Sequence, residues 1–175
     1  EARLTREGEL LSHLDHPGIV KIVAYGILED SGLPFIAMEW LDGEDLSRRQ
    51  RKDPLSIRQA VELSILIATA LETAHQAGVI HRDIKPGNIV LTSRTGDPGS
   101  LDVVPKLVDF GTAASGDIRI TRNGDVVGTP AYMAPEQARG DAPIDVRSDI
   151  YSLGATLFEL VAGRPPHVGP TPIAT

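Results

Sequence analysis

The run His81-Arg82-Asp83-Ile84-Lys85-Pro86-Gly87-Asn88, followed by Asp109-Phe110-Gly111, places two acids, an amide and a lysine at separations that suit a metal-bound triphosphate. Each group meets a separate requirement of phosphoryl transfer. Asp83 can accept or orient the proton of an attacking hydroxyl. Asn88 and Asp109 offer the hard oxygens that magnesium prefers. Lys85 offers positive charge to a migrating phosphate. Such a reaction asks for positioning and charge neutralisation more than for covalent chemistry. Taken singly the signals are weak: Asp109 could be a turn residue before glycine, Asp83 a buried capping carboxylate and Lys85 a surface lysine. Specificity comes from their order, with Asn88 five residues after Asp83.

These groups need elements to hold them. Leu4, Glu7, Leu10, Leu11 and Leu14 recur at helical spacing and predict an amphipathic helix, broken by His16-Pro17-Gly18. Ile19–Val23 and Pro34–Glu39 read as strands, joined through the turn residues Glu29-Asp30-Ser31-Gly32. Ser56 and Gln59 form a capping-box pattern that opens the longest helix, and Gly78 closes it. Its apolar residues, among them Ile57, Leu63, Ile65 and Leu71, run most of the way round, which predicts a buried helix. Val79–His81 and Asn88–Leu91 read as short strands flanking the polar loop. Ser93–Pro105 is rich in Gly, Ser, Asp and Pro and reads as a surface insertion before Lys106-Leu107-Val108. A last helix is predicted over Ser148–Leu160, with Asp149 near its start.

Composition sets outer bounds. The 175 residues can bury one substantial core, and 41% hydrophobic residues argue against disorder. A net charge of -7 disfavours nonspecific nucleic-acid binding, and no nucleic-acid partner is expected. The absence of cysteine excludes disulfides and thiolate zinc sites. His81 has no companion ligands in sequence, so packing is preferred for it over metal binding.

A third block, Gly128-Thr129-Pro130-Ala131-Tyr132-Met133-Ala134-Pro135-Glu136, completes the pattern. With it the chain resembles the eukaryotic-like (Hanks-type) serine/threonine protein kinases of bacteria. Lys85 followed by Pro86 is similar to the serine/threonine branch rather than the tyrosine branch. The resemblance implies an α+β, kinase-like fold. A partial small lobe and hinge would occupy residues 1–41, and a mainly helical large lobe 42–175, with a catalytic loop at 81–88 and an activation segment at 109–136. It implies ATP and Mg2+ as cofactors, with Asn88 and Asp109 as metal ligands and Asp83, Lys85, Asn88, Thr129 and Glu7 as catalytic. Met38, as gatekeeper, Glu39 and Leu41 of the hinge, Lys85 and Val90 would contact the nucleotide. Thr129 would tie Asp83 to Lys85. Phe110, His81, Leu11 and Ile22 would stack between the lobes. Arg82 would be regulatory, receiving a phosphate on Thr121, and Glu136 would pair with an arginine beyond Thr175.

The same resemblance implies a glycine-rich loop and a strand lysine, the partner of Glu7, that this sequence does not contain. The expectation is an internal fragment of a catalytic domain, inactive in isolation. Protein substrates are expected, with a second copy of the kinase for autophosphorylation in trans. The domain is expected in the cytoplasm, in a parent that could be membrane-anchored elsewhere. The alternatives are a pseudokinase scaffold, disfavoured by intact Asp83, Lys85, Asn88 and Asp109, and a small-molecule kinase, disfavoured by the Gly128–Glu136 block.

Overall fold

The computed structural model describes residues 9–93, 103–110, 130–140 and 143–167. Glu7, Thr121 and Thr129 lie outside the described residues. So does the pairing proposed between Thr129, Asp83 and Lys85.

Residues 9–12 are helical and lead into Gly18. An antiparallel hairpin follows, of β1 (Ile22–Ile27) and β2 (Pro34–Met38), pairing from Ile22 opposite Met38 to Ile27 opposite Pro34. The strand expected over Ile19–Val23 therefore begins three residues late. Ile19 and Val20 are both 3% exposed and go elsewhere. Val20 N–H donates to Leu107 O (3.0 Å) and Leu107 N–H donates to Gly18 O (2.8 Å). An apolar run signals a strand-like segment but not which neighbour it pairs with.

The second sheet is antiparallel, in the order β3 (Gly43–Asp45), β4 (Ile89–Ser93), β5 (Val103–Leu107). Its register runs from Ile89 opposite Leu107 to Ser93 opposite Val103. Val103–Pro105, expected within the insertion, are strand residues, because β4 continues to Ser93 and pairs with them. Asn88, expected in a strand, sits instead in a 3₁₀ turn (Pro86–Asn88), and Val79–His81 form no strand. Gly43 is required by close approach: a Cβ there would lie 2.2 Å from Leu91 O.

Helices frame this sheet. Asp45 caps α1 (Leu46–Lys52) by accepting from Arg48 N–H at 2.8 Å. Ser56 and Gln59 form both bonds of the capping box on α2 (Ile57–Gln76), and Gly78, at φ 77°, follows it. The short α3 (Pro135–Arg139) and long α4 (Val146–Ala162) each end on a left-handed glycine, Gly140 and Gly163.

α2 corrects one expectation. Its buried face is Ala60, Leu63, Ser64, Ile67, Ala70, Leu71 and Ala74, whereas Ile57, Val61, Ile65 and Leu66 are exposed. Composition round the helix overstated its burial. The core joins Leu63, Ile67 and Leu71 to Leu46, Ile84, Ile89, Leu107 and Leu160, which ties the polar loop to the long helices. Each such side chain contributes roughly 1.5–3 kcal/mol before its ordering entropy is subtracted. No helix among the described residues is long and apolar enough to cross a membrane.

Candidate active site

The loop between α2 and β4 is held from below by one buried carboxylate. Asp149, 1% exposed in the first turn of α4, accepts from His81 N–H (Oδ2, 2.9 Å) and Arg82 N–H (Oδ1, 2.7 Å). His75, in the last turn of α2, places Nε2 2.7 Å from the same Oδ2. These bonds hold Arg82 at φ 69°, a left-handed conformation that costs about 1–2 kcal/mol for a residue with a side chain. The His81 ring is fully buried. Its Nδ1 accepts from Asp83 N–H (3.3 Å), so Nε2 carries the hydrogen and donates to Val108 O (3.0 Å). Burial pushes this imidazole below its ordinary pKa, against the pull of Asp149. His81 packs on Phe110 with ring centroids 4.5 Å apart, Leu11 and Phe110 share the core, and Ile22 packs against it. Of the four residues expected to stack, His81 and Phe110 are thus in direct ring contact, while Leu11 and Ile22 lie in or against the same core.

Above this base the polar groups converge. Lys85 Nζ lies 2.7 Å from Asp83 Oδ2. Asn88 Nδ2 donates to Asp83 O and to Asp83 Oδ2, both at 2.8 Å. With both amide hydrogens given to Asp83, the oxygen is what Asn88 can offer a cation. Val108 N–H donates to Asn88 O at 3.0 Å, which ties Asn88 to the residue before Asp109. Asp109 is exposed, at φ 60°, immediately before the buried Phe110. Among the described residues no group of three or more His, Cys, Asp or Glu could by itself hold a metal. An amide oxygen and one carboxylate are nevertheless donors of the kind that suits magnesium, which takes few protein ligands and completes its shell with water and phosphate oxygens.

The expected nucleotide edge lies across β5. Glu39 exchanges main-chain bonds with Lys21: its N–H donates to Lys21 O (2.9 Å), and its carboxylate accepts from Lys21 N–H (2.9 Å). Lys106 Nζ also reaches Glu39 Oε1, at 2.6 Å. Partial burial alone would raise the Glu39 carboxyl, but the bonds from Lys106 and Lys21 and their two charges outweigh it, and its pKa is lowered. Val90 is the ladder partner of Lys106, the lysine that reaches Glu39. Met38 ends β2 at 40% exposure, so it is not simple core, Trp40 is 92% exposed, and Leu41 is half-buried.

The segment 130–140 closes the other side. Gln137 Nε2 donates to Arg82 O (2.9 Å), and Gln137 Oε1 accepts from Ala134 N–H (3.1 Å). Tyr132 donates its hydroxyl to Glu159, and burial together with that bond pushes the phenol above its usual range. Glu136, expected to seek a distant arginine, accepts from Ser148 Oγ at 2.6 Å. That bond, with its own main-chain N–H, lowers its pKa.

Sequence reasoning missed His75, Lys106, Gln137 and Glu159. The available signals were faint: a histidine one turn before the end of a helix, a lysine three residues before Asp109, a glutamine after Pro135-Glu136. Each contact depends on a partner distant in sequence.

Known proteins match this arrangement. The family described as Protein kinase domain matches residues 1–172. The serine/threonine-protein kinase PknB of Mycobacterium leprae is 39% identical over 177 residues, covering 98% of this chain and 27% of its own length. The crystal structure of the Mycobacterium tuberculosis PknI kinase domain superposes with a TM-score of 0.73 at 33% identity, over 95% of this chain and 58% of that one. Rad53 1-466 in complex with AMP-PNP aligns with a TM-score of 0.73 at 30% identity, over 98% of this chain and 40% of that one. The chain thus spans about a quarter of the length of PknB and just over half of the PknI chain. The chain belongs to the protein kinase domain family, and its curated relatives are bacterial serine/threonine kinases.

Proposed function

We propose that the protein carrying this chain is an ATP-dependent serine/threonine protein kinase. The observation that carries this reading is the joint engagement of Asp83 by Lys85 and Asn88, at 2.7 and 2.8 Å, with Asn88 O in turn accepting from Val108 N–H, the residue before Asp109. In the reaction a substrate serine or threonine Oγ forms a bond to the γ-phosphorus while the bond from that phosphorus to the β-bridging oxygen breaks. Asp83 accepts the hydroxyl proton. Lys85, with its charge beside Asp83, faces the migrating phosphoryl group, and Thr129 steadies that pair. Asn88 and Asp109 would hold magnesium, which when bound neutralises charge on the phosphate oxygens. Glu39, Leu41, Met38 and Val90 line the nucleotide edge, where backbone groups pair with the base. In this reading residues 1–41 belong to a small lobe and hinge and 42–175 to a large lobe. A cytoplasmic location follows from dependence on ATP.

Regulation belongs to the same reading. Arg82 Nε is buried with no hydrogen-bond partner among the described residues. A guanidinium in that position favours a phosphate, through charge-assisted bonds. Thr121 is the proposed carrier of that phosphate, phosphorylated from ATP in trans by a second copy of the protein.

The test is transfer of the γ-phosphate of ATP to a serine- or threonine-containing peptide by the full-length protein, with and without magnesium. Magnesium-dependent phosphopeptide at a rate on the order of 1–100 per second supports the reading. Nucleotide binding without any transfer would leave a pseudokinase instead.

A further inference from the structure

Gln137 holds a peptide plane that nothing in the sequence connects to it. The plane joins Arg82 to Asp83. Its carbonyl, Arg82 O, accepts from Gln137 Nε2 at 2.9 Å, and its N–H, on Asp83, donates to His81 Nδ1 at 3.3 Å. The preceding amide, Arg82 N–H, is taken by Asp149 at 2.7 Å. Arg82 stands in a left-handed conformation, so its plane has a local tendency to relax that these bonds must resist. Asp149 and His81 approach from one side, and the bond to the carbonyl comes from Gln137, 55 residues away.

The glutamine amide suits this place for a chemical reason. Ala134 N–H is a donor and must face the oxygen; Arg82 O is an acceptor and must face the nitrogen. Glutamate lacks the donor and methionine lacks both groups. Gln137 is 6% exposed, so water does not replace a lost bond. Ala134 lies two residues after the end of the 3₁₀ turn Pro130–Tyr132, which Tyr132 anchors on Glu159 of α4. One side chain therefore joins the end of the 130–134 segment to the plane that carries the Asp83 Cα.

We propose that Gln137 is a positioning residue for Asp83, coupling the order of the 130–134 segment to the orientation of the proton acceptor. This rests on the kinase reading of Asp83. The coupling acts on the chemical step and not on the nucleotide.

The test compares the wild-type full-length protein with Gln137→Glu and Gln137→Met in ATP-to-peptide transfer, per nucleotide-binding site. Gln137→Glu keeps the bond from Ala134 N–H and the side-chain shape, but replaces the donor facing Arg82 O with a carboxylate oxygen that repels it when ionised. The expected result is a fall in kcat of about tenfold or more in both variants, with KM for ATP changed less than about twofold, as positioning effects produce. The Gln137→Glu loss should also shrink as pH falls from about 8.5 to 5.5, because a protonated carboxyl regains a donor, whereas the Gln137→Met deficit relative to wild type stays flat. A merely structural role predicts lower melting temperatures but unchanged kcat per site and no such pH trend, and that result overturns the proposal. A wild-type protein that binds ATP without transferring phosphate would instead overturn the kinase reading, and this proposal with it.

Discussion

Asn88 gives both hydrogens of its side-chain amide to Asp83, one to the main-chain carbonyl and one to the carboxylate, each at 2.8 Å. The two residues are thereby a single unit: the turn Pro86–Asn88 cannot shift without moving the Asp83 carboxylate. The same contact orients the Asn88 oxygen away from Asp83, where a cation can use it.

Replacing that donor with an acceptor should uncouple the pair. Asn88→Asp would set two carboxylates within hydrogen-bond distance, and like charges that close disfavour joint ionisation. The expected outcome is a loss of about a hundredfold or more in kcat, with the acidic limb of the pH–rate profile moved to higher pH. Steady-state kinetics across pH checks this. An unmoved limb would mean that Asn88 does not face Asp83 in the working enzyme.

Asp149 is the second fixed point. Asp149→Ala would strand the His81 and Arg82 amides, which the carboxylate now satisfies at 2.9 and 2.7 Å. Each unpartnered buried donor costs about 1–3 kcal/mol. Urea unfolding should therefore give a stability lower by about 2–6 kcal/mol. A change below about 0.5 kcal/mol would show that the loop is held by other means.

Burial lowers the pKa of His81, and the sign of the resulting pH dependence follows. Below about pH 6.5 the unfolded chain takes up a proton that the folded ring refuses. The contribution to stability is complete above that pH and is lost as pH falls toward the lower folded value, by at most about 1.4 kcal/mol per pH unit. His81→Phe keeps an aromatic ring and removes the titration. The difference in stability between wild type and His81→Phe should shrink as the solution is acidified from about pH 7, measured by denaturant midpoints. A difference constant with pH would contradict a neutral, buried imidazole.

The regulatory role proposed for Arg82 concerns the same loop. With its Nε buried and unpartnered among the described residues, it awaits an anion. Thr121→Ala should therefore lower the activity of the autophosphorylated full-length protein by at least about tenfold, within the few kcal/mol that new charge-assisted bonds can supply. Mass spectrometry should find phosphate on Thr121 of the active wild type. Full activity in Thr121→Ala, with Thr121 unmodified in the wild type, would remove this role.

Much of the site was legible because its groups are close in sequence. Asp83, Lys85 and Asn88 sit within one tight loop, and their spacing alone brings them together. The capping box at Ser56 and the stop at Gly78 were equally local, and both are present. What escaped was long-range. Ile19 and Val20 looked like the start of β1, but Ile19 lies opposite Leu107, bracketed by the bonds of Gly18 and Val20 to it, because hydrophobicity does not name a strand's partner. Ile57, Val61 and Ile65 looked buried and are exposed, since the face that packs is chosen by α4 and the sheet rather than by α2 itself. Glu39 was read for its backbone only, yet its carboxylate joins β5 through Lys106. Gln137 carried no sequence signal beyond its place after Pro135-Glu136, and its side chain bonds a carbonyl 55 residues away.

The most direct measurement compares wild type and Asp83→Asn in the full-length protein, following both magnesium-dependent ATP affinity and γ-phosphate transfer to a peptide hydroxyl. Asparagine preserves the shape of Asp83 but cannot take the proton, so nucleotide affinity should change less than about threefold while kcat falls by about 10²–10⁴. Equal transfer by the two proteins would contradict Asp83 as the proton acceptor and, with it, the assignment of this loop as the catalytic centre.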